Sequence, residues 1–253
     1  RDLTIIDTVL PFVQIQSTRV IDMNNNDALH VDCAMKDMLA ENNAIAATAA
    51  DFIFTWKIRN TAAGAEDWLE LTNTSPRKNS YYLDAYSLAP GFYLLQVQAK
   101  SQLWIGRHST HSVRVHVNIA DVVANIVGSV EKTVKNAEKI ELDAGTSYDA
   151  STPGFTASSN SALSFSWACA ATMNLNAAED CPFEFEYFLF EPWKVFLTPK
   201  QKVDRGCDDV CVEIGYVTVT AYVLPGPRFS SKTIKVTIVD NNTPSAEVVG
   251  ITG

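Results

Sequence analysis

Four of the five cysteines lie close together in the second half of the 253-residue chain: Cys169, Cys181, Cys207 and Cys211. A disulfide across a long loop stabilises a fold by roughly 2–4 kcal/mol, in part because it restricts the unfolded chain. The spacing favours the pairs Cys169–Cys181 and Cys207–Cys211, although four cysteines allow three connectivities. A four-thiolate zinc site is the alternative, but the Cys-x-x-Cys pairs typical of such sites are missing.

Other residues with reactive side chains form no catalytic or metal-binding pattern. Cys33 occupies an inward strand position, where a buried and unreactive thiol is expected. His111 and His116 are five positions apart and face opposite sides of a strand, so they cannot share a metal ion. The run 145–149 lacks the second glycine of a nucleophile elbow, and no phosphate-binding glycine pattern occurs. The sequence therefore predicts no catalytic residue, no cofactor and no enzymatic activity.

Two further sets of polar residues could bind a ligand or carry a modification. Asp121 and Asp240 stand at the expected ends of the two halves, where acidic oxygens at a domain junction could bind calcium. The simpler interpretation makes them solvated turn residues. Asn73 and Asn241 begin Asn-x-Ser/Thr triplets and are candidate glycosylation sites, as expected for a protein of the secretory pathway.

The stretch from Pro182 to Phe196 is unusually aromatic, and it contains Phe183, Phe185, Tyr187, Phe188, Phe190 and Trp193. Rings occur at both odd and even positions, and a two-layer core can bury only one of these sets. One hypothesis makes the stretch extra edge strands of the fold. The other leaves part of it exposed as an interaction surface for another protein module or chain. Exposed coplanar rings of Trp or Tyr would instead suit a carbohydrate.

An internal repeat organises these residues. At an offset of 111 residues, Phe54 aligns with Phe165 and Trp56 with Trp167, without a gap over the first 58 positions. Beyond the tryptophan the offset grows to 122, so the second copy contains an insertion of about eleven residues. The clustered cysteines and the aromatic stretch lie in or beside this insertion.

Within each copy, apolar and polar residues alternate, as in Phe54, Trp56 and Ile58, which indicates half-buried strands. We find no convincing amphipathic helix. Short strands with turn signals, 110–120 residues per copy and a Trp on the third strand are typical of an immunoglobulin-like β-sandwich. The first copy also contains a tyrosine corner at Tyr93, whereas the corresponding residue of the second copy is Gly215.

The predicted fold class is therefore all-β, with tandem immunoglobulin-like β-sandwiches. Residues 1–120 form the first, and residues 121–242 form the second, with its Cys- and aromatic-rich insertion. The run Asn125–Gly128 recurs as Glu247–Gly250, so residues 243–253 are expected to be a linker and the first strand of a further module.

The run Ile140–Asp149, followed by Leu163–Cys169, resembles the REJ (receptor for egg jelly) and PKD modules of polycystin-like cell-surface proteins. Those modules carry a similar Leu-Asp-Ala-Ser-x-Ser-x-Asp stretch before a Ser-x-Trp, and the cysteine after Trp167 favours REJ. The first copy retains only the skeleton of this pattern. The resemblance implies an immunoglobulin-like extracellular stalk or adhesion ectodomain without catalytic activity, of a kind found on cilia and on gamete or protist surfaces.

Composition excludes several other classes of function. Twenty Lys and Arg against 29 Asp and Glu give a net charge of −9, which repels nucleic acid. No apolar run reaches the roughly 18–20 residues of a membrane span. The predicted function is a non-catalytic extracellular structural and adhesion module, part of a larger surface or filament protein, which acts as a mechanical spacer and contacts other modules of its assembly. The alternative is a carbohydrate-binding receptor module that uses the aromatic stretch.

Overall fold

The structure is a computed structural model that describes residues 11–17, 19–37, 52–62, 67–72, 75, 77–102, 106, 108–136, 138–154, 162–171, 181–200, 213–224, 226 and 228–241. This part of the chain consists of β-strands and the turns between them, without a helix, so the predicted all-β fold class is confirmed. It contains no helix that could cross a membrane. The chain divides into two compact units, residues 1–120 (unit 1) and residues 121–253 (unit 2).

The strands of unit 1 form two sheets of an immunoglobulin-like sandwich. One sheet has the order β1-β3-β6 and the other β2-β8-β7-β4-β5. Strands β2 and β8 run parallel, and the other pairs are antiparallel. The strands are β1 (Pro11–Ile15), β2 (Val20–Asn24), β3 (Leu29–Asp37), β4 (Phe52–Asn60), β5 (Leu69–Leu71), β6 (Ser80–Leu83), β7 (Gly91–Ser101) and β8 (His108–Asn118).

Unit 2 repeats this arrangement with sheets ordered β10-β17-β16-β13 and β11-β15-β14, and a short pair β12-β9. Its parallel pair is again the one between an early strand, β10, and the last strand, β17. The strands are β9 (Val122–Val123), β10 (Glu131–Lys135), β11 (Ile140–Asp143), β12 (Tyr148–Asp149), β13 (Leu163–Ala170), β14 (Phe183–Tyr187), β15 (Lys194–Pro199), β16 (Glu213–Val223) and β17 (Phe229–Val239).

Each unit is built around its own tryptophan. Trp56 in β4 is buried and stacks on Tyr81 with ring centroids 5.5 Å apart. Trp167 in β13 is also buried, and its indole N–H donates a hydrogen bond to the carbonyl of Pro192 at 3.3 Å. The repeat therefore places equivalent residues at the centres of two separate cores.

The register of the strands shows what the insertion adds. In unit 1, β3 pairs with β6 through Asp32 and Ser80. In unit 2, β11 pairs with β15 through Asp143 and Lys194. Strand β15 is thus the counterpart of β6, and β14 is an additional strand at the edge of the sheet. The hypothesis that the aromatic stretch forms extra edge strands is therefore correct for β14 but not for β15, which belongs to the repeated fold.

Unit 2 also contains a buried ion pair that the sequence did not reveal. The two terminal nitrogens of the Arg228 guanidinium, Nη1 and Nη2, donate hydrogen bonds to the two carboxylate oxygens of Asp149, at 2.7 and 2.9 Å. The backbone N–H of Ser151 donates a further hydrogen bond to Asp149 at 2.9 Å. Burial alone would raise the pKa of Asp149, but the hydrogen bonds from Arg228 and Ser151 outweigh it and hold this pKa below its usual value.

Candidate functional site

The aromatic stretch is fixed to unit 2 by a disulfide. Cys169 in β13 and Cys181 just before β14 are bonded, with their Cα atoms 5.3 Å apart. This is the first of the two disulfides that the sequence favoured. Cys207 and Cys211 lie outside the described residues. The bond ties the start of the additional strand to the sheet that carries Trp167.

One face of strand β14 packs into the core of unit 2. Phe183 is only 2% exposed and belongs to the core, and Phe185 packs against it. Glu184 and Glu186, at the alternate positions of β14, are exposed. The prediction that Phe183 lies on an interaction surface is therefore wrong. Its side chain points to the inner face of β14, so the ring lies between the two sheets, where no partner can reach it.

Gly215 explains why unit 2 lacks a tyrosine corner. In unit 1, the hydroxyl of Tyr93 donates a hydrogen bond to the carbonyl of Ala89 at 2.7 Å, as in a tyrosine corner. In unit 2, Phe183 and Pro182 cover Gly215 so closely that a Cβ atom there would overlap the Phe183 ring and lie 2.8 Å from Pro182. The ring of Phe183 therefore occupies the space that a side chain would need.

Gly215→Ala should destabilise unit 2 by about 1–3 kcal/mol, because the added methyl group displaces Phe183. Chemical denaturation of the full chain, with hydrogen exchange to separate the two units, measures the change. The double variant Gly215→Ala with Phe183→Leu removes the colliding ring and should recover part of the loss. An equal loss in both variants would contradict this explanation.

Hydrogen bonds fix the second half of the turn between β14 and β15. The carbonyl of Pro192 accepts the indole N–H of Trp167, and the carbonyl of Trp193 accepts the N–H of Ala144 at 2.8 Å. The side chain of Trp193 packs against the core of unit 2. Trp193 is therefore part of the support of the turn, rather than an exposed ring of the predicted interaction surface.

The last residue of β14 and two residues of the turn are exposed. Tyr187, Leu189 and Phe190 are 60%, 93% and 91% exposed, and we call these three residues the hairpin tip. Soluble monomers expose single apolar residues routinely, but a contiguous exposed apolar patch is typical of an interaction site. Leu189 is the most exposed of the three, and because it is not aromatic, the clustering of aromatic residues in the sequence does not single it out.

The outward face of the hairpin has a second, more covered group of residues. The ring of Phe196 in β15 lies 4.7 Å from that of Phe188. The ammonium group of Lys139 stands 4.0 Å above Phe196 and 2.6 Å from the carboxylate of Glu186. Phe188 is therefore half-buried, and the hairpin tip is the part that remains accessible.

Of the remaining predicted site residues, the structure describes Asp121, Asp240 and Asn241. Asp121 and Asp240 are exposed, and among the described residues no three His, Cys, Asp or Glu side chains converge as metal ligands. The pKa of the Arg228 guanidinium is raised mainly by its hydrogen bond to Asp149, and the charge of Asp121 adds to this. Asn241 is exposed after β17, as a glycosylation site must be, whereas Asn73 and residues 243–253 lie outside the described ranges.

The surroundings of Cys33, the cysteine of unit 1, make its thiol unreactive. Cys33 is buried in the first core, and burial together with the nearby charge of Asp32 raises the pKa of its thiol to about 12. The thiolate that would react or bind a metal is therefore not populated near neutral pH.

Several solved structures are similar to the chain. They include three N-terminal domains of the Hoc outer capsid protein of bacteriophage RB49, at 11% identity and a TM-score of 0.29, covering 91% of this chain and 70% of that one. Drosophila N-cadherin EC1-4 matches at 13% identity and a TM-score of 0.32, covering 91% and 49%. The human desmocollin-1 ectodomain matches at 12% and 0.32, covering 93% and 42%. The chain thus spans about half of the N-cadherin structure.

The curated proteins include no match to the chain. The REJ domain family, in contrast, matches residues 43–187, a segment that begins in unit 1 and ends with the last residue of β14 in unit 2. This segment contains both core tryptophans, the disulfide and the run Ile140–Asp149 that carries the resemblance. It covers more than half of the sequence, and the chain therefore belongs to the REJ domain family.

Proposed function

We propose that this REJ-family chain is a non-catalytic extracellular structural and adhesion module that contacts another protein module of its assembly through the hairpin tip. The observation that carries the proposal is the exposure of Tyr187, Leu189 and Phe190, which lie within four consecutive positions at the end of one hairpin. Burial of a Leu or Phe side chain is worth roughly 1.5–3 kcal/mol. Such a patch favours a partner that covers it.

Several contacts fix the hairpin below the tip, and they support the same function. The Cys169–Cys181 disulfide, the inserted ring of Phe183 and the two hydrogen bonds at Pro192 and Trp193 hold the base of the hairpin in one conformation. A preorganised contact loses less conformational entropy on binding than a mobile loop does. The tip is therefore presented in a form ready to bind.

The strand order supports the role of a spacer. In each unit an early strand lies parallel to the last strand: β2 beside β8, and β10 beside β17. When the two ends of a unit are pulled apart, parallel neighbours of this kind slide along each other, so the load is shared by all the hydrogen bonds between them. This arrangement resists tension better than one in which the bonds break in turn.

The disulfide also supports the cellular location that we propose. Structural disulfides persist in oxidising environments such as the cell exterior. The exposed Asn241 is compatible with passage through the secretory pathway. The family resemblance extends the proposed location to the surface of cilia or flagella.

The carbohydrate-binding alternative has less support. It needs exposed coplanar rings that stack on a sugar, and Trp193, the ring on which it most depended, packs against the core. Tyr187 is exposed but lies 5.9 Å from the ring of Phe185, which partly covers it. We therefore keep protein docking as the proposed function.

Hydroxyl-radical footprinting tests this proposal in the assembly purified from its source. The three tip residues should be oxidised in the isolated chain and protected in the assembly. Leu224 and Phe229 are matched controls, since they are exposed apolar residues of the same unit outside the hairpin. If the tip is oxidised as fast in the assembly as in the isolated chain, the proposed function is wrong.

A further inference from the structure

The outward face of the five-stranded sheet of unit 1 carries two guanidinium groups on either side of an apolar residue. Arg59 in β4 is in register with Leu94 in β7, and Leu94 is in register with Arg114 in β8. Neighbouring strands are about 4.8 Å apart, so the two arginines start roughly 10 Å from each other with Leu94 between them. This row forms one side of a shallow depression.

An exposed aromatic pair forms the other side. Phe92 is 61% exposed and stacks flat on His116, with ring centroids 4.3 Å apart and planes 4° from parallel. Nδ1 of His116 lies 3.0 Å from the carboxylate of Asp22, which fixes the imidazole. We call the depression the groove. Its volume is about 580 Å³, and its lining includes Val20, Arg59, Phe92, Leu94, Arg114 and His116.

The charges of the groove are not compensated within the described part of the chain. There, no carboxylate lies within ion-pair distance of Arg59 or Arg114, and the Nε of Arg59 is buried without a hydrogen-bond partner. The Arg59 guanidinium lies 5.0 Å above the ring of Trp68. The chain as a whole is acidic, with a net charge of −9, so the two guanidinium groups of the groove form a local region of positive charge. Such a region, beside apolar side chains, favours a partner that has an apolar surface flanked by negative charges.

The hairpin tip of unit 2 has this chemistry. Its apolar residues are flanked in sequence by Glu186 and Glu191. These two carboxylates contact lysines, but their side chains are still 68% and 40% exposed, so each can accept a second cation. The tip thus combines large apolar side chains with negative charge, and the groove combines the apolar side chains of Leu94 and Phe92 with positive charge.

We infer that the hairpin tip of one copy of this chain inserts into the groove of a second copy. This inference rests on the proposed function of the tip and names its partner. Leu189 and Phe190 would contact Leu94 and Phe92, and the glutamates would face the two arginines. Because the contact joins two different surfaces, each copy can bind one neighbour on either side, and copies add head to tail into an open chain or, where the rotation between copies closes, a ring.

Sedimentation velocity of the full chain over a range of concentrations tests the inference. The wild-type chain should form species larger than a dimer as concentration rises, and less so at high salt, since salt screens the exposed charges. Arg114→Glu reverses one of the two positive charges of the groove, and Phe190→Ser removes one of the large apolar side chains of the tip. Both residues are exposed and lie outside the cores. Each variant alone should associate at least tenfold more weakly than wild type.

The mixture of the two variants is the decisive sample. Arg114→Glu still has a tip and Phe190→Ser still has a groove, so an equimolar mixture should form a one-to-one dimer and nothing larger. Lys100→Glu, on the same sheet but outside the groove, and Leu224→Ser, an exposed leucine outside the tip, should behave as wild type. A wild-type chain that stays monomeric, or a mixture that forms no dimer, would overturn the inference.

The same measurements separate this inference from the proposed function. If the tip is protected in the native assembly while the isolated chain stays monomeric, the tip binds a different partner and only the inference fails. If Phe190→Ser abolishes association and Arg114→Glu does not, the tip binds another surface and the groove is excluded. If the tip is neither protected nor needed for association, both proposals are wrong.

Discussion

Replacing Arg228 with Met should lower the free energy of unfolding of unit 2 by about 3–5 kcal/mol and leave unit 1 unchanged. The side chain of Asp149 is only 5% exposed, and Arg228 supplies both of its charged hydrogen bonds. Removing the arginine leaves a buried carboxylate without its counterion. Hydrogen exchange of the full chain in denaturant, read separately for peptides of each unit, measures the loss.

The loss should depend on pH in a defined direction. The pKa of Asp149 is lower in the folded state than in the unfolded chain, so the stability it contributes is fully present above the ordinary aspartate pKa of about 3.9. It disappears as pH falls through the lower pKa of the folded state. The difference between wild type and Arg228→Met should therefore be largest near neutral pH and shrink in acid.

A double variant provides the control. Asp149→Leu with Arg228→Met replaces the pair by apolar side chains, and such replacements are often neutral compared with the intact pair. It should be more stable than Arg228→Met alone and show no pH dependence from this site. If unit 2 of Arg228→Met has the same free energy of unfolding as wild type at neutral pH, the prediction is wrong, and another cation neutralises Asp149.

Trp56→Ala should destabilise unit 1 by about 3–5 kcal/mol, and Trp167→Ala should do the same to unit 2. Each indole is buried in a separate core, and its removal leaves a cavity that the sheets on either side cannot close. The other unit should keep its stability in each case. Hydrogen exchange by unit is again the measurement.

Phenylalanine variants distinguish packing from hydrogen bonding. Trp56 has no hydrogen-bond partner for its indole N–H among the described residues, so Trp56→Phe loses only packing. Trp167→Phe also loses the hydrogen bond to Pro192, which supports the exposed hairpin, and should raise hydrogen exchange in the turn. Simultaneous loss of both units in either alanine variant would show that they unfold as one.

Features encoded by local periodicity could be predicted from the sequence. The alternation of Phe54, Trp56 and Ile58 gives strand β4 because side chains of a strand point to alternate faces. The repeat then gave the strand around Trp167 as well. Tyr93 was recognised because its corner needs residues only four positions apart, and the structure forms that hydrogen bond.

Features that depend on distant register could not be predicted in this way. Arg59 and Arg114 become neighbours only because both strands pair with β7. Asp149 and Arg228 lie 79 positions apart in the sequence, and neither belongs to a recognisable motif. The burial of Phe183 depends on distant contacts in the same way, because its ring packs on Gly215 of β16, a strand of the opposite sheet.

The pairing of early strands with last strands sets the order of events during synthesis. Val20 in β2 lies opposite Arg114 in β8, and Glu131 in β10 lies opposite Lys235 in β17, so neither unit can complete its sheet until nearly all of it has left the ribosome. At translation rates of about 5–20 residues per second, unit 1 gains a head start on the order of ten seconds. It can close on its own strands before the similar strands of its repeat are complete, which protects the nascent chain from pairing between copies.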